Sequence, residues 1–294
     1  MRGRGFDIGA VLIGLAFAVM WSSAFTSARM IVVDAPPLTA LALRFLVSGL
    51  IGVGLALALG QRLPRGRAQW RAVALFGVMQ NAVYLGLNFV AMQWVSASVA
   101  AIVASTMPLM VALAGWLVWR ERLPPMGIAG LLAGFAGVAV VMATRLGGGA
   151  DPLGIALCVL GALALTVATL ALRGASGGGG GLLMVVGLQM LVGAAVLGGI
   201  AVAAEPFVVD WSLQLVLAFA YTTLVPGLAA TWVWFVLVGR IGAVRAAAFH
   251  FLNPVFGVLI AAAVLAEPLG PADLAGVAIA AAGILMVQLS RVRG

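Results

Sequence analysis

Residues 98–142 read SVAAIVASTMPLMVALAGWLVWRERLPPMGIAGLLAGFAGVAVVM, and residues 244–288 read VRAAAFHFLNPVFGVLIAAAVLAEPLGPADLAGVAIAAAGILMVQ. The two stretches align without a gap at an offset of 146 residues, with 13 of 45 positions identical. This internal repeat predicts that the chain consists of two related halves. The matches that an apolar composition does not readily produce are Pro108 with Pro254, Glu121 with Glu267, Pro125 with Pro271, Gly130 with Gly276 and Gly137 with Gly283.

The composition around the repeat indicates a membrane protein. Of the 294 residues, 64% are apolar and 8% are charged, whereas soluble domains average about 45–50% and about 25%. Too few polar side chains remain to cover a water-exposed surface, so lipid must be the main solvent. A net charge of +8 could suggest a nucleic-acid partner, but the basic residues lie in short loops between apolar runs instead of clustering on one face.

The apolar runs predict an all-α integral membrane protein with ten transmembrane helices, since about 20 residues cross the hydrocarbon layer. Prolines, glycines or charges separate most of the runs. The third and fourth runs have almost no loop between them. The predicted spans are Ile8–Ala28, Leu38–Leu59, Ala72–Trp94, Val95–Trp119, Met126–Ala143, Pro152–Leu172, Leu182–Ala203, Leu213–Val238, Val244–Ala266 and Ala272–Leu289.

Arginine placement predicts the orientation, because the sequence contains no lysine. Thirteen arginines fall at the termini and in the loops after even-numbered spans, whereas only Arg29 and Arg145 fall on the other side. Positive loops stay in the cytoplasm. We therefore expect both termini to be cytoplasmic and the protein to lie in the inner (cytoplasmic) membrane of a bacterial cell.

The repeat and the span count together predict two inverted halves, residues 1–146 and 147–294, which form one membrane domain. Each half has five spans, and an odd number forces the halves to insert in opposite directions. The charges agree with this, because Glu121 stands between two arginines on the predicted inside and Glu267 stands on the predicted outside. Inverted repeats are typical of secondary transporters.

Three motifs give the chain a family resemblance. Trp21-Ser22-Ser23-Ala24-Phe25 lies in the first span and Leu43-Arg44-Phe45 in the second, and both halves carry Pro-(x)12-Glu followed by Gly-(x)6-Gly. Together they resemble the EamA-type branch of the drug/metabolite transporter superfamily, and the whole sequence is similar to bacterial YddG-type aromatic amino-acid exporters. The resemblance implies ten helices in two inverted halves and export of small metabolites. In place of Arg44 the second half has Met190, which departs from the pattern.

Polar residues inside the spans are the candidate substrate-binding residues, because polar groups in lipid usually face a cavity or another helix. We expect several of them to border one central cavity. The alternative is that they bond to carbonyls or tighten helix packing, which is the more usual role of Ser and Thr in a span. The candidates are Asn81, Tyr84, Asn88, Ser105, Tyr221, Trp234, His250 and Asn253.

Prolines and charges in or beside the spans suggest structural roles. Proline removes a backbone donor and can kink a helix, which predicts kinks at Pro108, Pro226 and Pro254. We interpret Arg44 as bonding to helix carbonyls or snorkelling outward. Glu121 and Glu267, each close to a proline at the end of a span, we interpret as structural.

Enzyme functions are less favoured by the sequence. Without lysine there is no P-loop, and one His with one Cys cannot build a standard zinc site, so neither metal nor cofactor is expected. The run Gly174–Gly178 matches G-x-S-x-G and resembles the serine motif of rhomboid intramembrane proteases, with Ser176 as nucleophile and His250 as base. In a run of glycines, however, such a match arises easily by chance, and the internal repeat favours a transporter.

The expected activity is export of small amphipathic solutes, most of all neutral or aromatic amino acids, by alternating access. Another metabolite or a drug is the alternative substrate. All eight acids map to loops or span ends, which leaves His250 as the one embedded side chain that titrates near neutrality. Facilitated diffusion is therefore the simplest mechanism. Two fused halves make a monomer sufficient.

Overall fold

The computed structural model describes residues 7–120, 124–147, 151–171, 181–241, 246 and 249–292, and every element in these ranges is helical. Within them, nine helices are long and apolar enough to cross a membrane, and a tenth apolar helix is shorter. In chain order they are α1 Ile8–Asp34, α2 Pro37–Ala58, α3 Arg67–Ala91, α4 Ala97–Val118, α5 Pro125–Leu146, α6 Pro152–Leu170, α7 Leu182–Ala204, α8 Leu213–Ile241, α9 Phe249–Leu265 and α10 Pro271–Ser290.

The outer surface of the bundle is apolar, which confirms the prediction of an all-helical, multi-pass membrane protein. Large hydrophobic side chains such as Val202, Leu132 and Trp232 are exposed on different helices. In water such a surface would be unfavourable, whereas lipid matches it. The buried core is rich in alanine and glycine, as expected where membrane helices approach closely.

Helix ends differ from the predicted spans for local reasons. α1 continues past Ala28 to Asp34, because Ile31 and Val32 are buried and the first prolines come only at positions 36 and 37. The third and fourth predicted spans are separated by a turn over residues 92–96. There the Ser96 side chain accepts a hydrogen bond from the amide of Val99 at 3.4 Å. Arg29, expected in a loop, therefore lies within α1 and donates to the carbonyl of Met92.

The most extensive helix–helix interfaces are those of α5 with α10 and α2 with α7. In the first, a Cβ on Gly137 would lie 2.5 Å from the Gly276 carbonyl oxygen, and a Cβ on Gly130 would lie 2.8 Å from that of Gly283. Real Cβ atoms do not approach backbone oxygens so closely, so glycine is required at these positions. All four glycines that the sequence repeat matches thus lie at this interface, where each faces the other repeat glycine: Gly137 faces Gly276, and Gly130 faces Gly283.

Two π-helical segments interrupt equivalent helices. Gly77–Tyr84 lies in α3 and Thr223–Ala229 lies in α8, and their first residues are 146 positions apart. π-Helical turns are rare and frequently occur at functional sites. The second segment contains Pro226, which cannot donate a backbone hydrogen bond.

Breaks also recur in α4 and α9 at the offset of the sequence repeat. α4 breaks at Ser105 and Thr106 before its second segment starts, and α9 starts with a 3₁₀ turn, Phe249–Leu252. Pro108 and Pro254 stand in the first turn of the α-helical segments that follow. The two segments end at residues with φ of 54°, which are Arg120 and Ala266.

Carboxylates connect helices at the end of the bundle where α2, α4, α8 and α10 begin. Glu205 accepts hydrogen bonds from the amides of Leu38 and Thr39, both at 2.8 Å. Asp273 forms an ion pair with Arg145 at 3.3 Å, which links α10 to α5. These bonds use acids that the sequence places in loops and at span ends.

Candidate substrate site

An aromatic cluster surrounds the single histidine where α1, α8 and α9 meet. The His250 ring packs edge-on against Phe17, with centroids 5.2 Å apart, and lies 5.3 Å from Trp234 and 6.1 Å from Trp21. Phe17 and Trp234 also pack together at 4.9 Å. These four residues form what we call the aromatic cluster. Its ring faces can hold apolar or aromatic groups, and they attract cations.

Asn253 fixes the protonation of the histidine. Its Nδ2 lies 2.9 Å from His250 Nδ1, and an amide nitrogen can only donate. Nδ1 is therefore the acceptor, and the ring is neutral with its proton on Nε2. The hydroxyl of Ser22 donates to the main-chain and side-chain oxygens of Asn253 at 3.4 and 3.5 Å, which ties α9 to α1.

A second polar contact adjoins the first on α1. The Tyr221 hydroxyl donates to Ser23 Oγ at 2.8 Å, and Ser23 Oγ donates to the carbonyl of Met20 at 2.7 Å. Tyr221 remains 40% exposed, so part of the residue faces the exterior of the bundle while its hydroxyl bonds to α1. Two adjacent serines of α1 thus hold α8 and α9 through side-chain hydrogen bonds.

Arg44 lies at the crossing of α2 and α8. Its guanidinium Nε donates to the Thr222 carbonyl at 3.3 Å, and the side chain is 6% exposed. Pro226, four residues after Thr222, has no N–H to offer this carbonyl, so the guanidinium supplies a donor there. The hydroxyl of Ser48, one turn after Arg44, is buried and has no partner among the described residues.

The α3 residues lie elsewhere. Asn81 Nδ2 donates to the Gln189 carbonyl of α7 at 2.9 Å. Asn88 Nδ2 donates to the Tyr84 carbonyl at 2.8 Å, and both residues pack against Gly161 of α6. These three side chains contact α6 and α7 instead of the aromatic cluster. The bonds of the two asparagine side chains to main-chain oxygens correspond to the packing alternative.

The structure therefore brings together Trp234, His250 and Asn253, with Tyr221 nearby through its contact with α1. Ser105 donates to the Ala101 carbonyl one turn back at 2.6 Å, which is the usual bond of a serine in a span. Glu121 and Ser176 lie outside the described residues. Within the described ranges, no group of three His, Cys, Asp or Glu residues could hold a metal ion.

Sequence reasoning did not assign a binding role to α1. Phe17, Trp21 and Ser22 form part of the site, and the signal for them was present in the Trp21-Ser22-Ser23 motif. Phe17 precedes Trp21 by four residues, a spacing that places both on one helical face. In an apolar span these aromatic residues could not be distinguished from ordinary packing residues.

An apolar helical bundle with a histidine, amides and hydroxyls lying between its helices defines a multi-pass membrane protein of the transporter class. The chain belongs to the EamA-like transporter family, whose sequence profile matches it twice, over residues 8–143 and 152–289. The prediction of a drug/metabolite-type transporter rather than an intramembrane protease is thereby confirmed.

Individual relatives agree with the family. The transporter YvbV of Bacillus subtilis is 26% identical over 93% of this chain and 90% of its own length. The inner membrane transporter YedA of Escherichia coli is 26% identical over 95% and 91%. The aromatic amino acid exporter YddG of Ancylobacter novellus is 32% identical over about half of each chain, 47% and 48%. A crystal structure at 23% identity has the same fold, with a TM-score of 0.70 over 96% of this chain.

Proposed function

We propose that this protein exports small amphipathic metabolites, and neutral or aromatic amino acids above all, by alternating access. The observation that carries the proposal is the aromatic cluster, in which three rings surround a neutral His250 held by Asn253. Ring faces accept an aromatic or aliphatic side chain, while the amide and hydroxyls offer hydrogen bonds. The partial match to an aromatic amino acid exporter supports the same substrate class.

The proposed architecture is ten spans in two inverted halves, residues 1–146 and 147–294. The double profile match and the π-helical segments 146 residues apart support this division. Nine of the ten described helices are long enough to cross a membrane. The shorter helix α9, which begins at Phe249 in the described residues, would complete the set of ten spans. With five spans per half, the two halves would exchange conformations and expose the site to each side in turn.

The proposed membrane placement follows the arginine distribution, with both termini in the cytoplasm of a bacterial cell and the protein in its inner membrane. A small-molecule substrate and the lipid bilayer are then the partners, and a monomer suffices. The relative YedA, whose name places it in the inner membrane, supports this location.

The chemistry of the site favours some substrates over others. Asn253, Ser22 and Tyr221 are uncharged, and the aromatic cluster, with its neutral His250, offers no positive charge to an anion. Polyanions such as nucleotide sugars would therefore be poor substrates. An organic cation, as in a drug exporter, is the second candidate, because ring faces attract ammonium groups.

A counterflow screen tests the proposal. Purified protein in liposomes would be loaded with each of the twenty amino acids and several cationic drugs, and uptake of the same labelled solute would be followed. We expect exchange of aromatic and large neutral amino acids that empty liposomes lack. Exchange of the drugs alone would show that the substrates are organic cations instead of amino acids. The absence of any exchange would contradict the transport proposal.

A further inference from the structure

Polar groups converge at the crossing of α2 and α8, beside the Arg44–Thr222 bond. A Cβ added to Gly227 would lie 3.1 Å from the Thr222 carbonyl oxygen, 3.4 Å from Ser48 Oγ and 3.6 Å from Arg44 Nη2. The three nearest atoms are therefore all polar, in a chain that is otherwise mostly apolar. We call Arg44, Ser48 and Gly227 the arginine pocket.

The charge in the arginine pocket is not balanced by the protein described here. Among the described residues, no carboxylate lies within 4.0 Å of the Arg44 guanidinium, and its two terminal nitrogens donate no hydrogen bond. A buried cation without a partner costs several kcal/mol. Ser48 Oγ is fully buried and also without a partner in these ranges. An anion placed between the two groups would satisfy both.

The equivalent position of the first half is occupied. Asn81 precedes Gly227 by 146 residues, and its side chain packs on Gly193 and donates to the Gln189 carbonyl. Where the first half has a bonded asparagine, the second half has a glycine facing an arginine. This convergence of polar groups on a glycine is thus specific to one crossing and does not follow from the fold alone.

We propose that the arginine pocket binds the carboxylate of the exported solute. The planar guanidinium, held by Nε and flanked by the Phe45 ring at 5.1 Å, directs its terminal nitrogens as a fork that suits a carboxylate. Ser48 donates a further hydrogen bond. This inference rests on the proposed function and narrows its substrate class to solutes with one carboxylate, such as zwitterionic amino acids, in preference to organic cations.

The test compares phenylalanine with its methyl ester, which lacks the negative charge. In proteoliposomes, Ser48→Ala should raise the ratio of the phenylalanine KM to the ester KM about ten- to a hundredfold, because a hydrogen bond to a charged group contributes about 1.5–3 kcal/mol and each 1.4 kcal/mol is about tenfold. Arg44→Lys, which keeps the charge but loses the fork, should raise this ratio at least as much. Gly227→Ala should raise it too, because the added Cβ would lie 3.4 Å from Ser48 Oγ and 3.6 Å from Arg44 Nη2 and would crowd both groups. Gly239→Ala, on the same helix with no atom within 4 Å, is the control and should leave the ratio unchanged.

A binding measurement keeps the result independent of transport. Benzoate should raise the melting temperature of the purified protein more than benzamide does, and Ser48→Ala should remove this difference while the variant still folds. If both KM values move together in all three variants, or benzoate and benzamide stabilise the wild type equally, the carboxylate pocket is contradicted. Preferential stabilisation by benzoate without any exchange would instead uphold the pocket and contradict the proposed transport.

Discussion

Glu267, two residues after α9, caps the start of α4 by accepting a hydrogen bond from the backbone amide of Ala97 at 2.8 Å. The same carboxylate accepts from the amide of Ser98 at 3.2 Å and from its hydroxyl. The first amides of a helix have no partner within it, and a negative charge there is favoured by the helix dipole. Glu267 therefore joins α9 to α4 through a cap that the sequence could indicate only as structural.

Replacing this carboxylate should destabilise the bundle. Glu267→Gln removes the charge and one of the accepting oxygens, so we expect the free energy of unfolding to fall by about 1–2 kcal/mol. Thermal unfolding in detergent would measure the change. Asp210→Asn is the matched control, because Asp210 is exposed and its carboxylate makes no hydrogen bond to the described residues. Equal effects of the two substitutions would contradict the capping role.

The α5–α10 interface should not tolerate a methyl group. Gly137→Ala would place its Cβ 2.4 Å from the Ala280 amide nitrogen and 2.5 Å from the Gly276 carbonyl oxygen, so the helices must separate. We expect a loss of about 1–3 kcal/mol, the usual cost of overpacking, seen as a lower melting temperature. Gly54→Ala, where no atom lies within 4 Å, should cause no loss. An unchanged Gly137→Ala variant would show that the helices are not this close.

The aromatic cluster predicts a contrast between two tryptophans of α8. Trp234 packs on Phe17 and His250, whereas Trp232 is 65% exposed on the bundle surface. Trp234→Leu should raise the KM for an aromatic substrate about three- to tenfold, since an aromatic pair contributes about 0.5–1.5 kcal/mol. Trp232→Leu should leave the KM unchanged in the same counterflow assay. A reversed order would exclude the cluster as a substrate site.

Transport should need no proton gradient. None of the described acids is embedded in mid-span, and the neutral His250 accepts the Asn253 amide, a bond that protonation at Nδ1 would break. We expect amino-acid exchange in proteoliposomes without an imposed pH difference, and His250→Ala should change the KM more than the energy coupling. If a proton gradient drove uphill accumulation in the wild type but not in His250→Ala, the uniport mechanism would be wrong.

Cysteine labelling tests the orientation. The exposed Ala68 serves as the cytoplasmic probe, because the nearby Gly66 has a φ of 103° that would strain a cysteine at that position. In a Cys158→Ala background, Asp210→Cys should react with an impermeant reagent added outside intact cells, and Ala68→Cys should react only after lysis. If position 68 alone were labelled in intact cells, the orientation would be the opposite of the proposed one.

Several features of the fold could be predicted from single residues and their spacing. The spans follow from runs of apolar residues. The glycines matched by the repeat all lie at the α5–α10 interface, where Gly137 faces Gly276 and Gly130 faces Gly283, because glycine lets the two helices approach closely. The site was harder to predict. Asn81 and His250 are both polar residues inside apolar helices. Helical periodicity shows on which face of its helix each residue lies, but it does not show which other helix packs against that face. The structure packs Asn81 on α7 and His250 on α1.

The sequence by itself determined that the chain lies in lipid, that its elements are helices and that its two halves are related. Those properties depend on composition and local pattern, because a backbone in hydrocarbon must satisfy its own hydrogen bonds within each helix. Only the tertiary structure decided which helix faces meet: Ser22 with Asn253, Arg44 with Thr222, and Glu267 with the start of α4. These partners are more than 75 residues apart, and in a chain where nearly every helical face is apolar, hydrophobicity does not distinguish one neighbour from another. Close packing and the few buried polar groups select the arrangement, and both are properties of the assembled bundle.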